Sequence, residues 1–225
     1  MATPTLEQVG EIFVINFGDD ENVTTDGWAT TMNNLLDEVE SAVGPKGLVT
    51  TGGAKHYSNG LDVAYMSSVD GPMIAAYVRR IESVVKRIML FEAPTVAAVN
   101  GHAFGMGAFL LMAHDQAVMR EDRGFFCFPE VHLEMSFPMS LMSVAKAALA
   151  PQTLRHAIST GHRYSGAAAR AAGIVNATAP LDSLVDEAIA MVRPHVATAG
   201  HNLTTIKRQL YPDVVTYLGE NSAAE

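Results

Sequence analysis

Along the first half of the chain, short apolar runs alternate with longer stretches in which apolar residues recur every three or four positions. The short runs are rich in β-branched or aromatic residues and are bounded by glycine or polar residues, which predicts strands. These runs lie at 11–17, 47–51, 95–99, 116–119 and 125–128. The periodic stretches predict helices, which lie at 26–43, 72–91 and from about 105. The glycine-rich segment Gly52 to Gly60 is predicted to be a loop.

Predicted helices dominate the second half of the chain. Proline opens the segments 138–149 and 151–160, which suits the first turn of a helix. Ser165 is placed to cap a short helix that ends at Gly173. Two more helices are expected at about 182–194 and 201–218. Strands that alternate with helices, followed by helices alone, predict an α/β fold with a mostly parallel sheet and a helical C-terminal part.

The chain is predicted to form one structural unit. Its 225 residues are 48% hydrophobic, which is enough to bury one sizeable core, and no repeat or linker interrupts them. We expect a core domain over 1–190 and a short helical C-terminal part over 191–225, both within the same unit.

The composition and charge of the chain limit the kinds of molecule that it is expected to bind. The formal net charge is -9, and basic residues form at most pairs, so no nucleic-acid ligand is expected. No apolar run approaches the roughly 20 residues that span a bilayer, and no basic amphipathic segment favours a membrane surface. Cys127 is the only cysteine, and the N-terminus lacks the features of a secretory signal. We therefore expect a cytoplasmic protein; the C-terminal Ala-Ala-Glu differs from a peroxisomal address.

Two glycine-containing loops carry the candidate chemistry. The segment from Thr95 to Gly107 is predicted to be a strand, a glycine-punctuated turn and the start of a helix. The first N–H groups of a helix lack partners within it, so such a turn can aim them at an oxyanion. The segment from Thr51 to Asp62 follows the preceding strand. Loops after parallel strands form ligand sites, so each loop could give one N–H to a common site, although glycine could also serve only the turn geometry.

Three ordered motifs resemble the crotonase, or enoyl-CoA hydratase/isomerase, superfamily. His56-Tyr-Ser-Asn-Gly-Leu-Asp62 is similar to its first oxyanion loop, and Ala97-Ala-Val-Asn-Gly-His-Ala-Phe-Gly-Met-Gly107 is similar to its second. Phe128-Pro-Glu-Val-His-Leu133 resembles its Pro-Glu segment. The resemblance implies a spiral of ββα units with a helical C-terminal trimerisation part, a homotrimer or hexamer, and an acyl-CoA thioester as substrate. It implies no cofactor apart from the coenzyme A of the substrate.

The resemblance also assigns roles to residues around the two loops. The oxyanion N–H groups fall on Leu61 and Met106. Gly60 and Gly105 would let the chain approach the thioester closely. Further substrate contacts are expected from the following residues: Asn59, Asp62, Phe109 and His132. Ala64 stands where many relatives have a lysine, so that contact with the CoA phosphates is expected to be missing.

The carboxylates decide which reaction is expected. Hydratases of the family use two glutamates; one corresponds to Phe109, which cannot transfer a proton, and the other to Glu130. A single base beside an oxyanion hole suits removal of a proton α to a thioester and its return elsewhere. The resemblance therefore favours isomerisation of 3-enoyl-CoA to 2-enoyl-CoA. The apolar neighbours of Glu130 should desolvate its carboxylate and raise its pKa, although a solvated charge or a helix-cap partner is an alternative.

Other interpretations stay open at this point. The first is an enoyl-CoA hydratase in which His132 or Glu134 replaces the missing acid; His132 would share a face with Glu130 if both lay on a strand. The second is a catalytically silent CoA-binding or scaffold protein, and thioester hydrolysis is a weaker third. A structural histidine and a surface or interface carboxylate are the plainer roles for these two residues. The histidine spacing and the lone Cys127 predict no metal site.

Overall fold

Short strands and helices alternate along the computed structural model, which describes residues 3–219. The strands are β1 Thr5–Val9, β2 Ile12–Asn16, β3 Val23–Thr24, β4 Gly47–Thr51, β5 His56–Ser58, β6 Gly60–Leu61, β7 Thr95–Val99, β8 His102–Phe104, β9 Gln116–Arg120, β10 Phe126–Cys127 and β11 Ala177–Ala179. The helices are α1 Asp26–Ser41, α2 Val63–Met66, α3 Gly71–Met89, α4 Met106–Met112, α5 Met139–Ala148, α6 Pro151–Thr160, α7 Gly166–Ala171, α8 Leu184–Val192, α9 His201–Leu210 and α10 Pro212–Tyr217. Turns of 3₁₀ helix occupy Glu130–Leu133, Leu181–Ser183 and Arg193–Thr198.

The largest sheet has six strands in the order β1-β2-β4-β7-β9-β11. Only β1 is antiparallel to its neighbour; the other strands pair in parallel, as the sequence predicts. Strands β4 and β7 are buried at every position. A central parallel strand covered on both faces needs such a continuous apolar run.

Two apolar cores cover the two faces of this sheet. Alternate side chains of each strand point to opposite faces, so Leu48 and Val49 of β4 belong to different cores. The larger core contains residues of α1, α3 and α4. The smaller core is closed by α8 through Leu184, Ala188 and Val192. The sheet is therefore a central layer between helices, which is the predicted α/β class.

Three strands of the large sheet are each followed by a short strand and then a helix. Strand β4 leads to β5 and on to α3, β7 leads to β8 and α4, and β9 leads to β10 and α5. The short strands form a second, wholly parallel sheet in the order β10-β8-β5. This succession is the expected spiral of ββα units.

The prediction of a loop over Gly52 to Gly60 is wrong, because this segment contains β5 and the start of β6. These strands have only two or three residues and include polar side chains, so they lack the apolar run that predicts a strand. The predicted helix over 201–218 is also wrong as one element. It breaks at Tyr211, because Pro212 has no N–H to continue the backbone ladder and opens α10 instead.

The C-terminal helices pack against the rest of the fold. Lys207 of α9 is buried, and its Nζ lies 2.7 Å from Asp115 Oδ2. Val214 of α10 is fully buried in the larger core, where α10 packs against α5. The expected domain boundary at residue 190 falls inside α8, and residues 220–225 lie outside the described part. Between residues 3 and 219, no helix is long and apolar enough to cross a membrane.

Candidate active site

The three motifs meet at one edge of the small sheet. Strands β5, β8 and β10 are parallel, with β8 in the middle, so their carboxyl ends lie side by side. The first glycine loop continues from β5, Gly105 and Met106 follow β8, and the Pro-Glu segment with Glu130 follows β10. The structure therefore brings together motifs that lie far apart in the sequence.

The two glycine loops touch where Gly60 faces the second loop. A β-carbon on Gly60 would lie 2.8 Å from the carbonyl oxygen of Phe104 and 3.2 Å from the backbone nitrogen of Met106. Gly60 also has a φ of +89°, in the region that favours glycine. Only glycine lets the loops come this close, and Leu61 follows directly. Both proposed oxyanion donors therefore lie at the same contact.

The second loop turns sharply into helix α4 at Gly105. Its φ is +50°, and its N–H donates to the carbonyl oxygen of Cys127 at 3.1 Å. Met106 is the first residue of α4, so its N–H has no partner within the helix. A β-carbon on Gly107 would lie 2.2 Å from the carbonyl oxygen of Ser58, so the start of α4 lies tightly against β5. This packing fixes the direction of the Met106 N–H.

Glu130 begins a 3₁₀ turn directly beside this loop. Its Oε1 is 3.0 Å from the position of a β-carbon on Gly105. Its Oε2 is buried and accepts no hydrogen bond from any residue between 3 and 219. Burial raises the pKa of Glu130 to about 7, which agrees with the desolvation expected from its apolar neighbours. A desolvated carboxylate with one unbonded oxygen can accept a proton from a ligand.

Phe109 is sealed inside an aromatic cluster. The side chain is 1% exposed, and its ring centroid lies 4.9 Å from that of Phe128 and 5.6 Å from that of Phe137. Tilted and edge-on rings at these distances pack favourably. Position 109, where a hydratase would have its second glutamate, therefore faces the apolar rings of Phe128 and Phe137.

The sequence model described as enoyl-CoA hydratase/isomerase matches residues 7–225. The chain belongs to the enoyl-CoA hydratase/isomerase family. Members of this family are enzymes that act on acyl-CoA thioesters, and the crotonase fold expected from the three motifs is confirmed.

Similar proteins include enoyl-CoA isomerases and an enoyl-CoA hydratase. Enoyl-CoA delta isomerase 2, peroxisomal, of Arabidopsis thaliana is 31% identical, covering 96% of this chain and 95% of the relative. A putative enoyl-CoA hydratase of Thermus thermophilus is 30% identical, covering 89% of this chain and 81% of the relative. The structure of an enoyl-CoA isomerase of Mycobacterium tuberculosis superimposes with a TM-score of 0.86 at 25% identity, covering 96% of this chain and 93% of that one.

Two other residues around the first glycine loop of this hydratase/isomerase family member have structural partners. Asp62 Oδ1 accepts from the backbone N–H of Tyr65 at 2.8 Å and so caps α2. The exposed Asn59 side chain donates to Glu21 Oε2 at 3.3 Å. The expected substrate contacts of Asn59 and Asp62 stay predictions beside these roles.

The expectation that His132 shares a strand face with Glu130 is wrong. Both lie on the 3₁₀ turn Glu130–Leu133, where side chains do not alternate between two faces. The ring of His132 packs beside Gly161, with Nε2 2.9 Å from the carbonyl oxygen of Thr160. Glu134 is exposed and has a φ of +54°. These contacts tie His132 to the end of α6 and leave its role toward substrate a prediction.

Two asparagines that the sequence analysis did not single out hold the loops in place. Asn100 Oδ1 accepts from the N–H of Gly52 at 2.9 Å, and its Nδ2 donates to the carbonyl oxygen of Ala54 at 3.0 Å. Asn22 Nδ2 donates to the carbonyl oxygen of His56 at 2.9 Å. Asn22 has a φ of +49°, a conformation that asparagine tolerates better than most residues. The glycines of these loops could have indicated such asparagines, because the backbone N–H and C=O groups of a tight loop need side-chain hydrogen-bond partners.

The described histidine, cysteine and acidic side chains form no group of three or more that could hold a metal ion. The buried Cys127 instead lies with Sγ 3.2 Å from the carbonyl oxygen of Gly161.

Proposed function

We propose that this enzyme converts 3-enoyl-CoA to 2-enoyl-CoA with Glu130 as its only base. The observation that carries the proposal is the contrast between two positions of the site. Glu130 has a buried, unbonded oxygen beside Gly105. Phe109, at the position of the other hydratase glutamate, is packed against two phenylalanine rings.

The proposed reaction moves one proton and shifts two electron pairs. The Glu130 carboxylate takes a proton from carbon 2, which lies between the thioester carbonyl and the double bond. The electrons of that C–H bond form a double bond between carbons 1 and 2, and the π electrons of the carbonyl group move onto its oxygen, which gives a dienolate. Return of the proton from Glu130 to carbon 4 forms the 2,3 double bond and regenerates the carboxylate, so no further reactant is consumed.

The N–H groups of Leu61 and Met106 would stabilise the dienolate oxygen. Charge develops on this oxygen only as the proton leaves, and fixed donors in a dry site favour that state over the bound ester. Loss of one such donor typically costs about 3–4 kcal/mol of transition-state stabilisation. The Met106 nitrogen lies 3.2 Å from where a β-carbon on Gly60 would stand, and this closeness of the two loops supports the two donors acting on one atom.

The raised pKa of Glu130 suits the task. A pKa of about 7 makes the carboxylate a stronger base than an ordinary glutamate, while a large fraction stays ionised near neutral pH. The same shift helps the return step, since the protonated form is then a usable acid.

The hydratase alternative receives less support from the site. Hydration needs a group that activates water, and Phe109 cannot do this. The ring of His132 is within hydrogen-bond distance of the carbonyl oxygen of Thr160 at the end of α6, and Glu134 is exposed. If the protein were catalytically silent, the buried Oε2 of Glu130, which accepts no hydrogen bond from the described residues, would have no role.

Product analysis tests the proposed reaction. The purified protein is incubated separately with 3-enoyl-CoA and 2-enoyl-CoA esters, and the products are separated and identified. We expect 2-enoyl-CoA from the first ester and little 3-hydroxyacyl-CoA from the second. Efficient hydration of 2-enoyl-CoA would favour the hydratase, and no turnover of either ester would favour the silent protein.

We also propose that the enzyme assembles as a homotrimer or hexamer. Four apolar side chains from the Pro-Glu segment to the first residue of α5 are 42–55% exposed: Val131, Leu133, Met135 and Met139. Apolar surface of this kind is typical of an interface, and closed symmetry covers it without free edges. Light scattering at micromolar concentration should give three or six times the chain mass, and a single-chain mass would contradict the proposal.

We make two further proposals, one on the cofactor and one on the location of the enzyme. Proton transfer by one carboxylate and two N–H groups needs no resident cofactor, so we propose that coenzyme A takes part only as the carrier of the substrate. We propose a cytoplasmic location, although two relatives are named as peroxisomal. Cell fractionation distinguishes the two compartments.

A further inference from the structure

Three polar side chains, Thr50, Tyr57 and His114, form a hydrogen-bonded network in the interior of the protein, and the proposed reaction uses none of them. Thr50 and Tyr57 are fully buried, and His114 is 9% exposed. The hydroxyl oxygen of Thr50 lies 2.7 Å from the Tyr57 hydroxyl oxygen and 2.9 Å from Nε2 of His114. Nδ1 of His114 lies 2.8 Å from the carbonyl oxygen of Leu110. Burying three polar groups together costs free energy unless each one is hydrogen-bonded, so this buried network requires an explanation.

The direction of each hydrogen bond in the buried network follows from its partners. A carbonyl oxygen only accepts, so Nδ1 of His114 carries a proton and donates to Leu110. Burial lowers the pKa of His114 to about 4, although its bond to Leu110 and the charge of Asp115 oppose this, so the ring is neutral near pH 7. Nε2 therefore accepts from Thr50, which uses the single proton of that hydroxyl. Tyr57 must then donate to Thr50, and every donor of the buried network has an acceptor.

The buried network joins the two elements that carry the proposed oxyanion donors. Tyr57 lies on β5, four residues before Leu61. Leu110 lies on α4, one helical turn after Met106, and residues four apart in a helix share a backbone hydrogen bond. Thr50 connects the two elements from β4 of the large sheet. A displacement of α4 at Leu110 is therefore passed on to the N–H of Met106.

Helix α4 is held against β5 near both of its ends. At its N-terminal end, Gly107 packs so closely against the backbone of Ser58 that a β-carbon would have no room. Ser58 Oγ in turn accepts from the N–H of Gly60 at 3.2 Å. Beyond its C-terminal end, the buried network connects His114 to Tyr57. Two points of attachment prevent the helix from pivoting on the strand, which a single contact would allow.

We propose that Thr50, Tyr57 and His114 are positioning residues that fix the separation of the Leu61 and Met106 N–H groups. The inference rests on the proposed function, because it takes these two N–H groups as the oxyanion hole. A buried polar network in which every group is satisfied makes the surrounding core rigid. Rigid donors stabilise the charge that develops in the transition state more than they stabilise the bound ester. Loss of one link should therefore slow the reaction and leave binding of the ester almost unchanged.

Kinetic measurements on variants of the buried network test the proposal. Thr50→Val keeps the shape of the side chain and breaks both of its hydrogen bonds, whereas Tyr57→Phe breaks one. We expect kcat for 3-enoyl-CoA to fall at least roughly tenfold in Thr50→Val and less in Tyr57→Phe, with KM within about threefold in both. Thr50→Ser keeps the hydroxyl and should retain most of kcat. The double variant should be no slower than Thr50→Val, because both substitutions interrupt one network.

Thr153→Val is the matched control for the threonine substitution. It removes a hydroxyl that donates to the carbonyl oxygen of Ala172 at 2.9 Å, at the end of α7. This control should retain the kcat of the unmodified protein. Urea unfolding measures the stability of each variant. A folded Thr50→Val variant that is less stable but has an unchanged kcat would contradict the proposal, since the buried network would then serve stability alone.

Ionisation of a bound 3-oxoacyl-CoA ester tests the oxyanion hole separately from isomerisation. Carbon 2 of this ester is acidic, and its enolate absorbs in the near ultraviolet, so a titration gives the apparent pKa of the bound ester. Donors that stabilise the enolate oxygen lower this pKa, and in Thr50→Val it should rise by about 1, which corresponds to a tenfold loss.

An apparent pKa of the bound ester that is equal in the unmodified protein, Thr50→Val and Tyr57→Phe would overturn the inference. If the unmodified protein isomerises 3-enoyl-CoA, this result refutes the inference alone. The expected rise in pKa without any isomerisation would instead refute the proposed function and leave the positioning role of the buried network standing.

Discussion

The carboxylate of Glu130 lies against the turn at Gly105, with Oε1 3.0 Å from the point where a β-carbon on residue 105 would stand. The same glycine has a φ of +50° and starts helix α4. The proposed base Glu130 and the proposed oxyanion donor Met106 thus both adjoin one residue that has no side chain. A side chain at position 105 would therefore displace the Glu130 carboxylate and strain the start of α4 at the same time.

Gly105→Ala should therefore lower activity much more than stability. Displacement of the Glu130 carboxylate should reduce kcat/KM by roughly 100-fold, while the backbone conformation of residue 105, with φ +50° and ψ −118°, should cost a side chain about 1–3 kcal/mol in the free energy of unfolding. Enzyme assays and urea unfolding measure the two quantities. Gly173→Ala is the matched control: its φ is +71°, but no atom lies within 4 Å of the added β-carbon. It should have a similar stability cost and full activity; comparable activity losses in both variants would show that only the backbone strain matters.

Ionisation of Glu130 should destabilise the folded protein. Burial raises the pKa of this acid from 4.5 to about 7, so the folded state binds a proton that the unfolded state has lost. The loss of stability is absent below about pH 4.5 and grows as the pH rises toward 7. Glu130→Gln should thus raise the Tm by a few degrees at about pH 8, relative to the unmodified protein, and by much less at about pH 4.5.

Thermal unfolding at the two pH values checks this prediction. Glu134→Gln, which removes a nearby exposed carboxylate, should leave the pH dependence of Tm unchanged. A stabilisation by Glu130→Gln that is equal at both pH values would mean that the carboxylate is not desolvated.

A carboxylate at position 109 should fit poorly. Phe109→Glu places a charge against the rings of Phe128 and Phe137, so the free energy of unfolding should fall by several kcal/mol. Phe109→Leu loses packing only and should cost less. Urea unfolding compares the variants, and product analysis shows whether the glutamate introduces weak hydration. A glutamate variant as stable as the leucine variant would contradict a dry, packed cluster.

The main strands and long helices could be predicted because their own residues determine them. Strands β4 and β7 occupy the predicted segments residue for residue, since a buried parallel strand needs a continuous apolar run. Helix α3 shows its apolar face at the expected spacing. Strands β5 and β8 could not be predicted in this way, because they are short and partly polar and form only through pairing within the small sheet.

The candidate site was predictable to a similar extent. The glycine loops and Glu130 carry local sequence patterns, and the fold brings them to one sheet edge. The contacts of Asn100 and of His114 depend on segments 44–64 positions away in the chain. Sequence periodicity holds no information on such partners.

Loss of the Asn100 side chain should loosen the first oxyanion loop. Asn100→Ala removes the partners of the Gly52 N–H and the Ala54 carbonyl oxygen. The free energy of unfolding should fall by about 1–3 kcal/mol, and kcat should fall with it because the loop carries one oxyanion donor. Gln8→Ala removes a comparable amide bond, to the carbonyl oxygen of Gly10, on an exposed hairpin. This control should change stability by less than about 0.5 kcal/mol and leave kcat unchanged; equal kcat values in both variants would contradict the loop-positioning role.

The turnover number of Glu130→Gln tests the central claim most directly. Glutamine keeps the shape of the side chain and cannot accept the proton, so kcat for conversion of 3-enoyl-CoA to 2-enoyl-CoA should fall by roughly 10²–10⁴-fold. Binding of a saturated acyl-CoA ester, measured on the same preparation, should stay within about threefold, since the oxyanion loops are untouched. Full isomerase activity in this variant would contradict the assignment of Glu130 as the only base.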